Sequence, residues 1–420
     1  MLKCTFSIVE RLQNIPSRLQ NVIRWYLLTI MIETQKTSLT QAQEISGLHR
    51  SQFSRLLSDN RKIAENALLA LASEVGQAES PSKKVLVTGI PWKIAVIIDS
   101  TLHPRSSLRV QNSQRLNHGA GFVIGHQWTN ILIVIGDKRI PLPPIPFYSK
   151  NECKRRKIEY QTEQAVLLDY LKNLSLKEFI GEFLDEEVVV LTDAGYDNKK
   201  LQNAIIQKGW SFVCSLKNTR SCQTQHGHNS NPKKWAKVRE MFWSTRKQAP
   251  WTTVRTKASG KKKRKDFRAR RIDGYLKGVK KILAIVESEK VAGGGKRYLA
   301  CSNPKLTTGQ IARVYKLRWM IEQFHRETKD NLGMTDAGVH DFDSLVNHVH
   351  WVYVSHILIM TDPILKDLNL PDKQRKLRCD VNKEPLISAM AKIIKASTRF
   401  GGRNAVISLA KTAMGESTAA

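Results

Sequence analysis

The sequence predicts an α/β chain with an all-helical N-terminal part, and three observations carry that expectation. Residues up to about 85 place apolar side chains at helical spacing. Two later runs, KIAVIID at 93–99 and EVVVLTD at 187–193, are unbroken β-branched stretches that end in an acid. Between and after them, strand-like and helix-like patterns alternate, as in a sheet with covering helices.

The elements follow in order. Ile23, Tyr26, Leu27, Ile30 and Ile32 give a first helix its apolar face. The segment 38–60 then reads as two short helices with Gly47 at the tight turn between them. In the first, Ala42 and Ile45 point inward. In the second, Phe53, Leu56 and Leu57 point inward while Arg50, Ser51, Gln52, Ser54 and Arg55 point outward. This layout suits a helix-turn-helix that offers polar side chains to a DNA groove, and it also suits a plain helical hairpin. Residues 81–91 read as a linker. Strands are expected at 93–99, 119–128, 130–135, 187–193 and 211–216, and helices at 159–174 and 198–208. The order β-β-β-α-β-α-β is that of an RNase H-like domain. From 218 to about 300 the pattern is irregular, basic and aromatic, with a strand at 281–286, and reads as a β-rich insertion. A helix over 307–330 follows, with Thr307 or Thr308 as its N-cap and Gly333 just past its end. The expected division is 1–85 helical and DNA-binding, 86–217 catalytic, 218–305 insertion, 306–370 catalytic again, and 371–420 a basic tail.

The 420 residues contain 68 Lys and Arg against 37 Asp and Glu, a formal net charge of +31. That exceeds what solubility requires and points to a polyanionic partner, with a nucleic acid first and a ribosome or membrane surface as alternatives. Six cysteines without a CxxC pair exclude a disulfide framework and a zinc ribbon. No GxxxxGK[ST] loop is present, which argues against a nucleotide cofactor. The apolar run 346–360 is interrupted by His348, His350 and His356 and is too short for a bilayer, so no membrane association is expected. The expectation is a cytoplasmic protein.

Asp99 and Asp193 each follow an apolar strand, and the carboxyl ends of strands in an open α/β sheet are where catalytic groups gather. The bland alternative for each is an Asp that caps the next turn. A third acid comes from YKLRWMIEQFHRETK, in which Tyr315, Arg318, Glu322 and Lys329 fall on one face of a helix at 100° per residue. Mg²⁺ takes oxygen ligands, and two ions about 3.5–4 Å apart need roughly three carboxylates with substrate phosphate oxygens.

The pattern Y-x2-R-x3-E-x6-K resembles the YREK signature of the DDE transposases of bacterial insertion sequences. The segments IIDST and LTDAGYDN resemble that family's two aspartate blocks. The resemblance covers about residues 85–360. It implies that Asp99, Asp193 and Glu322 bind two Mg²⁺ or Mn²⁺ ions, and that Tyr315, Arg318 and Lys329 contact phosphates of the transposon end. It further implies cut-and-paste transposition: hydrolysis at the terminal inverted repeats of double-stranded DNA, then attack of the freed 3′-hydroxyl on target DNA. The chain would act as a homodimer in a nucleoid-associated complex. Many relatives form a hairpin with a flipped base on a tryptophan, yet no spacing selects among Trp235, Trp243 and Trp251, for which a core role is expected. Glu327 does not complete the signature. A DNA-binding protein without catalysis and a nuclease without strand transfer are the rival readings.

Of the remaining residues, His103, His118 and His126 follow Asp99, but histidine is a poor ligand for Mg²⁺. The QHGHN run at 225–229 lacks zinc spacing and reads as an exposed loop, and the glycines of 292–296 read as a hairpin turn. The run KKKRK, with Lys261, Lys262, Lys263 and Arg264, reads as a solvated basic loop touching DNA backbone.

Overall fold

The computed structural model describes residues 17–33, 38–59, 61–79, 86–225, 235–254, 267–290 and 295–381. Four helices open it: α1 (Ser17–Ile32), α2 (Leu39–Ser46), α3 (Arg50–Asp59) and α4 (Arg61–Ala78). Ser38 caps α2 by accepting from the Gln41 amide at 3.2 Å, the Gln41 side chain returns to the Ser38 amide, and Gly47 ends the helix at φ 72°. Helix α3 buries Phe53, Leu56 and Leu57, as its spacing predicts.

Strand β1 (Ile94–Pro104) pairs antiparallel with β3 (Gly121–Ile135), which also pairs with β2 (Gln114–His118), β4 (Lys138–Pro141) and β5 (Ile145–Pro146). The two strands expected at 119–128 and 130–135 are therefore one. The expected break falls at polar Thr129, yet Thr129 and Asn130 are both buried inside the strand, opposite Ser100 and Asp99. The turn lies earlier, at Gly119 with φ 58°.

Short helices α5 (Lys150–Arg156), α6 (Glu163–Asn173) and α7 (Lys177–Ile180) lead to β6 (Val188–Thr192), α8 (Lys199–Gln207) and β7 (Ser211–Leu216). Strand β6 runs parallel to β1 on one side and to β7 on the other. Residues 218–305 contribute β8 (Ser221–Thr224), β9 (Ala236–Lys237), α9 (Val238–Ser244), β10 (Thr252–Val254), β11 (Phe267–Leu276), β12 (Leu283–Lys290) and β13 (Arg297–Cys301). These strands extend the main sheet, because β13 pairs with β7 and the order runs β2-β3-β1-β6-β7-β13-β12-β11-β8-β9. The result is the mixed sheet, flanked by helices, of an RNase H-like fold.

The expected helix at 307–330 is continuous but changes pitch. It comprises α10 (Thr308–Tyr315), a 3₁₀ turn at Lys316–Arg318, α11 (Trp319–Arg326) and a π turn at Glu327–Asn331. Thr307 and Gln310 form its capping box, and Gly333 at φ 64° follows its end. The last long helix, α12 (Phe342–Thr361), is buried almost throughout. It explains the apolar run at 346–360 as a central helix: α1, α3 and α4 cover it. No helix among the described residues is long and apolar enough to cross a membrane.

Candidate active site

The parallel register of β1 with β6 ends at Ile98 opposite Thr192, so Asp99 and Asp193 are the next residues on neighbouring strands. The expectation that Asp99 closes its strand needs correction. Strand β1 runs on to Pro104 against β3, and Asp99 stands where its parallel partner stops. Asp193 begins the turn after β6 and accepts from the Gly195 amide at 2.8 Å. A Cβ on residue 195 would lie 3.0 Å from Asp193 Oδ1, so glycine lets the loop fold tightly over the acid. Burial, then the charge of Asp193, pushes the Asp99 carboxyl up to about 7 against the lowering effect of Arg318 and the Ser100 amide, and Glu322 adds to the rise.

Those causes show who the neighbours are: Asp193, Arg318 and Glu322 all face Asp99. Arg318 Nη1 donates to Asp99 Oδ2 at 3.4 Å and its Nη2 donates to Glu322 Oε1. The same guanidinium lies 5.8 Å from the Tyr315 ring centre. The Tyr315 hydroxyl neighbours the Ser215 side chain and feels the charge of Asp193, while Lys329, lowered by burial, feels that of Asp99. The four signature residues thus converge on the two aspartates. The straight α-helix assumed for them is not what brings them there. A 3₁₀ turn overwinds the chain before Glu322 and a π turn underwinds it around Lys329, and these opposite departures keep one face.

Sequence reasoning missed the support around the site. Asn130, the cross-strand partner of Asp99, accepts from the Tyr353 hydroxyl at 2.7 Å and donates Nδ2 to His325 Nε2 at 2.8 Å. Burial, and then Lys329 and Arg318, depress His325 to about 3, so its ring is a neutral acceptor. Near the Asp193 loop, Glu163 accepts from Gln127 Nε2 at 2.7 Å and from the Thr129 and Tyr196 hydroxyls at 2.8 Å each. Tyr196 stood in view within LTDAGYDN; nothing in the sequence marks Glu163, which lies 33 residues from Tyr196.

Glu327 is taken up elsewhere, held by Arg139 at 3.0 Å and by the buried His356 at 2.9 Å. His103 and His126 are buried beside Trp128, while His118 is exposed. The core role expected for the insertion tryptophans is overturned for Trp243 and Trp235. They are 68% and 39% exposed, because α9 turns Met241 and Phe242 inward and leaves Trp243 outside. Trp251 is half-buried under Arg268 and Arg270, at 5.1 and 4.8 Å. On α3, Arg50 and Arg55 are exposed and Gln52 half-buried, whereas the Ser51 hydroxyl pairs with His49 Nδ1 at 2.8 Å. Lys261, Lys262, Lys263 and Arg264 lie outside the described residues, as do 226–229, 292–294 and the tail beyond 381.

The donor set of Asp99, Asp193 and Glu322 is oxygen only, which suits a hard cation such as Mg²⁺ or Mn²⁺. Burial first, and then the charges of Asp193 and Glu322, hold the Asp99 carboxyl up, and a bound cation would offset those charges. Among the described residues no group of three or more His, Cys, Asp or Glu is drawn tightly enough to hold an ion as it stands. Arg318 holds two of the three acids instead.

No curated protein matches the chain. Residues 164–358, just under half of it, match the family model of the transposase DDE domain. That stretch contains Asp193, Tyr315, Arg318, Glu322 and Lys329, and the strand bearing Asp99 pairs directly with its β6. Over this stretch the chain is similar to the transposase DDE domain.

Proposed function

We propose that this protein binds the ends of its own insertion sequence, cleaves them and joins the freed 3′-hydroxyls to target DNA. The observation that carries the reading is the convergence of Asp193 and Glu322 on Asp99, with Arg318 paired to Asp99 and Glu322. Asp99, Asp193 and Glu322 would hold two Mg²⁺ ions, with Mn²⁺ as a substitute. When bound, such ions activate the attacking oxygen and stabilise the leaving one. The chain's own residues do the positioning. Arg318 has the forked guanidinium that fits two phosphate oxygens, and Lys329 and the Tyr315 hydroxyl supply further donors beside it. Asn130 and His325, locked by Tyr353, keep the strand and the helix in register behind the acids.

Recognition of the ends falls to α3, whose Arg50, Gln52 and Arg55 face outward and whose Ser51 is steadied by His49. Lys261, Lys262, Lys263 and Arg264 add contacts to DNA backbone. A homodimer would hold the two ends together, in the cytoplasm on nucleoid DNA. The test is incubation with Mg²⁺ and a DNA carrying the element's own flanking ends, comparing wild type with Glu322→Gln. Cleavage and joined products from wild type, absent from a variant that still binds, support the reading. Cleavage without joined products reduces it to a nuclease, and binding without cleavage to a DNA-binding protein.

A further inference from the structure

Beside the three acids lies a cleft of about 460 Å³ whose lining includes Ser215, Asn218, Arg239, Lys296, Arg297 and Tyr298. Its place follows from strand direction. Strands β6 and β7 run parallel and present their C-terminal ends at the edge that carries Asp193, with Thr192 opposite Cys214. Strand β13 runs antiparallel to β7, with Tyr298 opposite Leu216, so its first residues reach the same edge. Two inter-strand steps separate β6 from β13, about 10 Å in all. Ser215 joins the two places, since it lines the cleft and its side chain neighbours the Tyr315 hydroxyl.

Several arginines near the cleft are paired with acids, whereas two that line it are not. Neighbouring arginines are neutralised: Arg220 by Asp197, Arg270 by Glu287 and Arg271 by Asp273. Lys296 is tied to Glu287 at 3.1 Å. Arg239 and Arg297 are exposed and have no acidic partner among the described residues. Two uncompensated guanidiniums, with a serine hydroxyl and an asparagine amide between them, are a donor-rich lining for an anion with several oxygens.

We propose that this cleft is a phosphate subsite that grips the backbone of the DNA substrate about three base steps from the scissile phosphate, a spacing of roughly 10 Å along the duplex. The inference rests on the transposase reading, and it assigns Arg239 and Arg297 to binding and not to the chemical step. The experiment measures binding of the full-length protein to a fluorescent random-sequence duplex by anisotropy, over a range of salt concentrations without divalent ions. Wild type is compared with Arg239→Gln, Arg297→Gln, the double variant, and Lys172→Gln on α6 as an exposed control. Each lost phosphate contact lowers the slope of log affinity against log salt by about 0.9, so the double variant should lose about 1.8 and the control nothing. Far-ultraviolet circular dichroism checks that the variants fold. A double variant with the wild-type slope overturns the subsite and leaves the transposase reading standing. A wild type that binds no duplex overturns both.

Discussion

Arg318 Nη1 lies 3.4 Å from Asp99 Oδ2 across 219 residues of chain, so the helix that carries the third acid is clamped onto the strand that carries the first. This clamp makes the two sequence blocks one site, and it sets the first expectation. Asp99→Asn, Asp193→Asn and Glu322→Gln each remove one anionic oxygen donor while keeping shape. Each should lower the rate of DNA end cleavage on the order of 10³-fold or more, with duplex binding held within about twofold. Single-turnover cleavage and anisotropy, run on the same preparations, check it. A variant that cleaves at the wild-type rate removes its residue from the triad.

Arg318 is the only cation that an ion pair links to these acids among the described residues. Without divalent ions, Arg318→Gln leaves Asp99 and Glu322 facing each other unneutralised, and stability should fall by about 1 kcal/mol. Added Mg²⁺ should then raise the melting temperature more in the variant than in wild type, because the ion no longer competes with the guanidinium. Thermal melts with and without Mg²⁺ decide this; an equal rise in both proteins contradicts it.

Two glutamates five residues apart should behave in opposite ways. Glu322 belongs to the site, whereas Glu327 is buried with Arg139 and His356. Burial opposes its ionisation, but the His356 hydrogen bond and Arg139 outweigh that and bring its carboxyl to about 2. Glu327→Ala should therefore cost about 3–5 kcal/mol in urea unfolding, the usual effect of orphaning a buried charge. Glu322→Gln should cost little in the same assay.

Acid should weaken the fold in a defined window. Burial depresses His103 to about 2 and His126 and His348 to about 4, from an ordinary 6.5. Below pH 6.5 the unfolded chain binds these protons and the folded chain does not, so stability falls as pH drops, by roughly 1.4 kcal/mol per pH unit for each ring. Asp99, raised to about 7, acts in the opposite direction with a single proton. The depressed carboxyls of Glu152 and Glu327 matter only below their ordinary 4.5. Urea midpoints without divalent ions should decline from pH 6.5 towards 4.5, and a flat profile there would exclude the buried neutral rings.

What the sequence offered for the candidate acids was local: an apolar run with an Asp after it, twice, and four positions at helical spacing, although β1 runs on past Asp99 and the helix changes pitch. Strand β3 was split in two because Thr129 and Asn130 are polar residues in the middle of an apolar run. Their polarity is satisfied only by Glu163, Tyr353 and His325, which are remote in sequence. Helix α12 was passed over for the same reason. His348 accepts from the Tyr26 hydroxyl at 2.8 Å and donates to the Gly333 carbonyl at 3.0 Å, and neither partner can be seen from the local pattern. Likewise, the strands of 218–305 join the main sheet through β13, which pairs with β7 by contacts that no short window contains.

The burial of α12 bears on how such an element can diversify. Tyr26 bonds to His348, and Asn347 Nδ2 donates to the Leu57 carbonyl at 2.6 Å, so the N-terminal helices and the helix that backs the sheet share one interior. Exchanging residues 17–78 for those of a relative would strip His348 and Asn347 of their fitted partners. If α3 reads DNA ends as proposed, new terminal repeats would be reached by point substitution on its outer face, at Arg50, Gln52 and Arg55, and not by shuffling a module. Specificity and chemistry would then be inherited together.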